Sequence, residues 1–135
     1  MLQPKIRKHK KEFRGKMKGL ATRGTKIAYG EFALQATDRG WINGNQLESA
    51  RKAIVKETKR KGKTWLMIFP HKPITKKSDE TRRGSGKGEV SGYVAVVKPA
   101  NIIFEIGGLD EVTALNALKL ASAKLPIPTR IIKKL

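Results

Sequence analysis

The chain contains no cysteine and only two histidines, His9 and His71. Without thiols it can form neither a disulfide framework nor a thiolate metal site, and two histidines alone do not predict a zinc centre. Aromatic residues make up 6% of the chain, which is few for a protein that binds single strands on stacked rings. No apolar run has the length of a signal peptide or a membrane span, so a soluble protein of a cell or organelle interior is expected.

Acidic residues are also scarce, because 11 Asp and Glu stand against 30 Lys and Arg, for a formal net charge of +19. Self-repulsion of that size destabilises an isolated globule, so a polyanionic partner is expected. Hydrophobic residues still make up 39% of the 135 residues, enough for one compact domain with a modest core. The sequence therefore predicts a single domain over residues 1–135, with an extended basic arm over 1–25 and a globular core over 26–135.

The N-terminal arm has a strong excess of positive charge. Residues 1–26 contain ten cations and one acid, Glu12, and few apolar side chains. Such a segment cannot bury enough surface to offset its ordering entropy, so it is expected to order on a partner. A solvated tail and a targeting peptide are the alternatives, although transit sequences are usually Ser-rich and amphipathic.

Apolar spacing from Thr25 onward predicts an α+β core. Near-alternate apolar positions indicate a strand over 26–37 with a bulge at Gly30, followed by a turn at Asp38-Arg39-Gly40. Further strands are expected over 64–69, 90–97 and 102–106, with a short last strand around Ile127 to Ile132. The short connection after 90–97 favours antiparallel pairing of that strand with the next one.

Two helices are expected between these strands. The first begins at Asn43 or Asn45, ends near Lys61 and is closed by Gly62. Its expected buried stripe is Leu47, Ala50, Ile54, Val55 and Thr58, and its exposed cations are Arg51, Lys52, Lys56, Lys59, Arg60 and Lys61. The second helix begins at Asp110-Glu111 and continues to about Lys124, where Pro126 stops it. Its expected buried positions are Val112, Leu115, Leu118, Ala121, Ser122 and Leu125.

A cationic glycine loop lies between the predicted strands, at Thr81-Arg82-Arg83-Gly84-Ser85-Gly86-Lys87-Gly88. Glycines free the backbone for close approach, and the cations suit phosphates. A nucleotide-binding P-loop is one alternative, but Gly88 stands where that motif needs Ser or Thr, and Thr81 where it needs Gly. A solvated hairpin loop with nothing bound is the other.

The sequence predicts no catalytic residues, no metal and no cofactor. His71 lies in a Pro-bounded turn, and no Ser and acid nearby suggest a triad. Three functions remain open on the residues alone: an RNA-binding protein, a phosphate- or nucleotide-handling enzyme that uses Gly86-Lys87, and a cationic protein that coats DNA or anionic membrane. Between Arg51 and Lys87 thirteen cations face three acids, and this segregation favours a binding face.

Eight segments, in order along the chain, carry a resemblance to a known family. They are Met1-Leu2-Gln3-Pro4-Lys5, Phe13-Arg14-Gly15-Lys16-Met17-Lys18-Gly19, Glu48-Ser49-Ala50-Arg51, Phe69-Pro70-His71-Lys72-Pro73, Arg82 through Gly88, Val94-Ala95-Val96-Val97-Lys98-Pro99, Phe104-Glu105-Ile106 and Lys119-Leu120-Ala121 through Pro126. Together they resemble the bacterial-type large-subunit ribosomal protein L-sixteen family over essentially the whole chain. Positions at which the chain departs from residues common in that family are Met67, His71, Arg83 and Tyr93.

The resemblance implies an α+β fold, with two helices packed on an antiparallel or mixed sheet, a basic N-terminal arm and a long glycine-rich cationic loop over 76–89. It implies a structural protein, not an enzyme, in the ribosome of a bacterium or of an organelle with bacterial-type translation. Its expected partners are large-subunit ribosomal RNA near the peptidyl transferase centre, neighbouring large-subunit proteins and A-site tRNA, with P-site tRNA left open.

The resemblance and the charge pattern together designate the expected contact residues. Those for ribosomal RNA are Lys5, Arg7, Lys8, Lys10, Lys11, Arg14, Lys16, Lys18, Arg23, Arg51, Lys52, Lys56, Lys59, Arg60 and Lys63. Those for tRNA and the active-centre loop are Lys76, Lys77, Arg82, Arg83, Gly84, Gly86, Lys87 and Gly88, with Arg82 and Lys87 expected nearest the active centre.

Overall fold

The structure, a computed structural model, describes residues 3–4, 19–21, 24–76 and 89–135. In chain order its elements are β1 (Phe32–Ala36), β2 (Gly40–Asn43), α1 (Gly44–Thr58), β3 (Lys63–Leu66), β4 (Lys72–Lys76), β5 (Glu89–Val97), β6 (Ile102–Gly107), α2 (Glu111–Ser122) and β7 (Thr129–Lys133). Two helices with antiparallel strands confirm the predicted α+β fold.

The strands divide between two antiparallel sheets. One has the order β3-β6-β1-β7 and the other the order β2-β5-β4. The predicted pairing of β5 with β6 is wrong, because β5 pairs with β2 and β4 while β6 pairs with β1 and β3. The connection between them carries the chain to the other sheet. It is held on β1 by hydrogen bonds from the Ala100 amide to the Ala36 carbonyl and from the Ala36 amide to the Asn101 carbonyl.

One apolar core joins the four-stranded sheet to the helices. Leu34 and Phe104 are directly paired on β1 and β6, so their side chains point to the same face. They belong to one buried cluster with helix residues that include Leu47, Ile54 and Leu118, all 0% exposed. This face of the sheet is therefore stabilised by burial of apolar surface between strands and helices.

The other face of the same sheet is also covered, since every residue of β1 is buried. Its cover is the segment 24–30, which precedes β1. The predicted strand over 26–37 is wrong for residues 26–31, and β1 begins at Phe32. The reason is a partner distant in sequence: the amides of Ala28, Tyr29 and Gly30 donate to the Glu105 carboxylate instead of to a neighbouring strand.

The first helix begins as its sequence predicts. The Asn43 side chain accepts from the Gln46 amide and the Gln46 side chain accepts from the Asn43 amide, which is a capping box. The predicted end near Lys61 is wrong, because Lys59 already has a left-handed backbone with φ of 54°. Val55, expected in the buried stripe, is only half-buried, and the buried residues are Gly44, Leu47, Ala50, Ile54 and Thr58.

The second helix is capped by Asp110, whose carboxylate accepts from the Thr113 amide. Its buried residues are Ala114, Ala117, Leu118 and Ala121. Val112 was expected in the core, but it is 68% exposed, because it lies on the opposite side of the helix from these buried residues. Small alanines at the buried positions allow α1 and α2 to pack against each other.

Two strands have no counterpart in the sequence-based prediction. β2 lies where a turn and a helix entry were expected, and β4 lies where Pro73 indicated a break. Both strands are short, and their extended conformation is stabilised by pairing with the long strand β5. β3 is also shorter than predicted, since it ends at Leu66 and not at residue 69.

Candidate nucleic-acid interface

Cations converge on the C-terminal half of α1 and the turn that follows it. Five of them, together with Val55, line an open cavity of about 550 Å³: Arg51, Lys52, Lys56, Lys59 and Arg60. Positions 52, 56 and 59 follow the helical spacing of four and three residues, so these side chains lie on one face. We call these five residues the α1 cationic face. Among the residues that the structure describes, no acid contributes to the lining of this cavity.

The turn after α1 places the last two of these cations. Lys59 and Arg60 have φ of 54° and 65°, a left-handed conformation that residues with a Cβ seldom adopt. The turn is closed by hydrogen bonds from the Arg60 amide to the Val55 carbonyl and from the Lys61 amide to the Thr58 carbonyl. The chain then passes close to β6 at Gly62, where a Cβ would lie 2.5 Å from the Gly107 carbonyl oxygen. Only glycine fits this approach.

One cation of the face is held by an acid. The Arg51 guanidinium donates to both carboxylate oxygens of Glu48, at 3.0 and 3.3 Å. This hydrogen bond lowers the pKa of Glu48 and raises the pKa of Arg51. Arg51 is therefore oriented before any partner arrives, although both side chains remain partly exposed and the pair contributes little to stability.

The other four cations of the face are not held in this way within the part of the chain that the structure describes. Over residues 24–76 and 89–135, no carboxylate forms a salt bridge with Lys52, Lys56, Lys59 or Arg60, although Glu48 interacts electrostatically with Lys52. Cations in the last turn interact favourably with the negative end of the helix dipole, but they also repel one another. A bound polyanion would relieve that repulsion, and phosphate groups match cations set in an open depression.

The α1 cationic face continues onto neighbouring elements, where it includes lysines that are absent from the predicted contact residues. A second cavity of about 550 Å³ lies between the helices, and its charged lining residues are Lys52, Lys56, Lys124 from beyond α2, and one acid, Glu57. A third, of about 320 Å³, connects Arg51 and Arg60 with Lys61 and residues of β3 and β6. Lys124 could not be assigned from sequence because its proximity to α1 depends on how the two helices pack.

The remaining predicted contact residues fall in different places. Lys63 is exposed at the start of β3, and Lys76 ends β4. The arm cations Lys5, Arg7, Lys8, Lys10, Lys11, Arg14, Lys16, Lys18 and Arg23 lie outside the described residues, as do Lys77, Arg82, Arg83, Gly84, Gly86, Lys87 and Gly88 of the loop. What the structure adds is the stem of that loop, since Lys76 pairs with Glu89 on the antiparallel strands β4 and β5.

A buried lysine supports the base of this stem. Lys72 is 8% exposed and its ammonium group lies 5.2 Å from the ring centroid of Trp41 on β2. An ammonium over an indole face is stabilised by the ring quadrupole. Because Lys72 and Trp41 lie on β4 and β2, the two strands that flank β5, this contact spans the small sheet.

Metal-binding clusters and membrane-spanning helices are both absent from the part of the chain that the structure describes. Among residues 24–76 and 89–135, no group of three or more His, Cys, Asp or Glu could hold a metal ion. His71 is exposed, and its Nδ1 lies 3.2 Å from the Phe69 carbonyl oxygen. No helix in this part of the chain is long and apolar enough to cross a membrane.

Comparison with known families gives a match that covers nearly the whole chain. The family model described as Ribosomal protein L16p/L10e matches residues 4–132. The matched range contains β1 to β7, both helices, the α1 cationic face, and the arm and loop residues listed above from Lys5 onward.

Proposed function

Because the chain belongs to the ribosomal protein L16p/L10e family, we propose that it binds large-subunit ribosomal RNA through the α1 cationic face. The family is one of structural ribosomal proteins and not of enzymes, so the chain is a structural component of the large ribosomal subunit. The alternative of a nucleotide-handling enzyme built on Gly86-Lys87 is therefore dropped. The observation that carries the proposal is the cavity lined by five cations and no acid.

The proposed mechanism is neutralisation of phosphates with release of their counterions. Each phosphate that a lysine or arginine neutralises steepens the dependence of affinity on salt. Arg51, oriented by Glu48, suits bidentate contact with a phosphate, whereas the lysines act as mobile point charges. Such contacts position the protein on folded RNA without reading base sequence.

The arm and the loop complete the proposal. We assign the arm cations from Lys5 to Arg23 to ribosomal RNA, and the loop residues from Lys76 to Gly88 to A-site tRNA near the peptidyl transferase centre, with P-site tRNA as an extension of the same contact. Support comes from the charge of both segments and from the paired stem at Lys76 and Glu89, which brings the two ends of the loop together. Lys63, exposed on β3, is assigned to the RNA-facing surface as well.

A salt titration tests the role of the α1 cationic face. The full chain and a Lys52→Ala/Lys56→Ala variant are bound to purified large-subunit RNA at a series of salt concentrations. We expect the variant to bind at least about tenfold more weakly and the log–log salt slope to fall by about two, since each phosphate contact contributes about one. Lys119→Ala/Lys134→Ala, which removes two exposed lysines outside the cavity lining, is the matched control. Equal losses in both variants would contradict a localised interface.

A second experiment separates the proposed role of the loop in tRNA binding from the incorporation of the protein into the subunit. Arg82→Ala with Arg83→Ala should weaken A-site tRNA binding to subunits while leaving incorporation of the protein into those subunits unchanged. The physical reason is that the substitutions remove loop cations that are proposed to neutralise tRNA phosphates. The cations of the α1 cationic face, which are proposed to bind ribosomal RNA, remain. Normal A-site tRNA binding by subunits that contain the variant would show that the loop does not have this role.

A further inference from the structure

A pair of aromatic rings is stacked at the protein surface on the face of the four-stranded sheet that lies away from the helices. The rings of Tyr29 and Trp65 have centroids 5.9 Å apart and planes inclined by 23°. Trp65 is half-buried on the edge strand β3, whereas Tyr29 is 65% exposed. With one side of Tyr29 stacked on Trp65 and most of its surface in solvent, the pair offers an outward ring surface.

The position of Tyr29 is fixed by a buried carboxylate. Glu105 is 0% exposed, and its oxygens accept from the amides of Ala28, Tyr29 and Gly30 at 2.7 to 3.2 Å. Glu105 is directly paired with Trp65 in the β3–β6 ladder, so both side chains project from the same face. The carboxylate that holds the backbone of Tyr29 therefore lies beside the tryptophan on which the tyrosine ring stacks.

A glycine next to Tyr29 allows its segment to lie close to the sheet. A Cβ on Gly30 would lie 2.6 Å from the Ile106 carbonyl oxygen, so any other residue would push the segment off the sheet. A Cβ on Gly107 would lie 3.4 Å from Cζ3 of Trp65, which is an ordinary contact distance, so Gly107 sets no comparable limit beside the indole. The backbone that carries Tyr29 is therefore held both by the Glu105 carboxylate and by the close approach of Gly30 to β6.

We propose that Tyr29 and Trp65 form a stacking platform for an unpaired nucleobase of the RNA that this protein binds. The inference rests on the proposed RNA-binding function and deepens it, since the phosphate contacts of the α1 cationic face carry no base recognition. Every base has a π-face, and a rigid ring offered at the surface is stabilised when a base covers it. We refer to the two residues as the Tyr29–Trp65 platform.

The charge around the platform suits a nucleotide and not an apolar protein segment. Lys63 lies two residues before Trp65 on β3, so its side chain projects from the same face, and Lys26 is exposed three residues before Tyr29. The neighbouring acid Glu31 is engaged by the Gly108 amide at 3.3 Å. An exposed ring with one cation on the same sheet face and another in the same segment matches the base and phosphate of one nucleotide.

Binding of two oligonucleotides that differ only in their bases tests the platform. The full chain is titrated at low salt with a short oligoadenylate and with an abasic ribose-phosphate chain of the same length and charge, and affinities are measured by calorimetry. We expect the oligoadenylate to bind about tenfold more tightly, because stacking adds to a shared electrostatic attraction. Tyr29→Ala should abolish this preference and leave the affinity for the abasic chain unchanged, whereas Tyr29→Phe should keep it.

Phe69→Ala is the matched control, since it removes another exposed ring, 45% accessible, that lies outside the platform. Its preference for the oligoadenylate should equal that of the unmodified chain. Equal affinity of the unmodified chain for both oligonucleotides, retention of the preference in Tyr29→Ala, or its loss in Phe69→Ala would each overturn the platform while leaving phosphate binding intact. Failure of both oligonucleotides to bind would overturn the proposed RNA-binding function, and the platform with it.

Discussion

The two faces of the four-stranded sheet are covered by different kinds of contact. On one face, Leu34 and Phe104 pack into the apolar cluster that includes Leu118 of α2. On the other, segment 24–30 lies across the strands and is held by polar side chains that are themselves buried, Glu105 at 0% and Gln35 at 5% exposure. Apolar burial is non-directional, whereas these hydrogen bonds fix the position of each backbone group they touch.

Several further hydrogen bonds connect the polar face to the segment before β1. Gln35 donates to the carbonyl oxygens of Ala100 and Thr25, at 2.9 and 3.5 Å, and accepts from Nε of Arg130 at 2.8 Å. The Ile102 amide also donates to the Gly24 carbonyl at 2.7 Å. The face towards the helices therefore supplies apolar burial, whereas the polar face determines where the segment after the basic arm, with Tyr29, lies on the core.

The largest effect is expected on the apolar face. Leu118→Ala removes a side chain that is 0% exposed, and we expect it to lower the free energy of unfolding by about 3 kcal/mol through lost transfer energy and the cavity left behind. Chemical denaturation of the full chain measures this. Val112→Ala on the same helix is the control, because Val112 is 68% exposed and its loss should cost less than about 0.5 kcal/mol. Similar losses for the two variants would contradict the observed orientation of α2.

An intermediate, more local effect is expected on the polar face. Glu105→Ala leaves the amides of Ala28, Tyr29 and Gly30 without their acceptor, and we expect a loss of about 2 kcal/mol, typical for hydrogen bonds to a charged group. Hydrogen exchange of those three amides should accelerate more than exchange of the amides in α2. In Leu118→Ala the order should be reversed. Uniform acceleration over both faces in Glu105→Ala would mean that the carboxylate supports the whole fold and not segment 24–30.

The same contrast explains what the sequence could predict. The spacing of Leu47, Ala50 and Ile54 locates the buried side of α1 correctly, because a helix in contact with an apolar core needs a stripe of period 3.6. Local sequence also located the two helix starts, at Asn43 or Asn45 for α1 and at Asp110-Glu111 for α2, and the structure has the caps at Asn43 and Asp110. These features depend on residues near one another in the chain, so the sequence alone indicates them.

Features that depend on distant partners could not be predicted. The acceptor for the amide of Tyr29 is Glu105, 76 residues away, and alternating apolar residues in 26–31 instead indicated a strand. The short strands β2 and β4 exist through their pairing with β5, which no local pattern reveals. For the candidate interface, the cations on α1 were found from their spacing, whereas Lys124 and the Tyr29–Trp65 platform required the packed structure.

A smaller effect on the helix side should follow from loss of a cap. Asn43→Ala removes the acceptor for the Gln46 amide, and we expect a loss of about 1 kcal/mol in the free energy of unfolding. Asn45→Ala is the matched control, since Asn45 is an exposed residue of the first turn and the sequence alone did not distinguish it from Asn43. A cost for Asn45→Ala equal to that for Asn43→Ala would mean that the helix begins later than Gly44.

The smallest expected effect concerns pH, at the start of α2. Hydrogen bonds from Thr113 lower the pKa of Asp110, so the ionised form is favoured in the folded chain. A carboxyl whose folded pKa is depressed contributes stability above its unfolded pKa of about 4, and that contribution is lost as pH falls through the lower, folded value. Asp110→Asn retains a capping acceptor that does not titrate, so the unmodified chain should lose stability relative to this variant on acidification below about pH 4.

Asp110→Ala separates the cap from its charge. It removes the acceptor at every pH. The difference in stability between Asp110→Ala and Asp110→Asn should therefore stay constant over the pH range in which the stability of the unmodified chain changes relative to both variants. Thermal unfolding of the three proteins at a series of pH values measures both differences. Parallel curves for the unmodified chain and Asp110→Asn would mean that Asp110 acts only as a neutral acceptor. Any pH dependence of the stability of the helix side would then come from other carboxyl groups. The cap at Asp110, like the apolar face, would contribute a stability that does not change with pH.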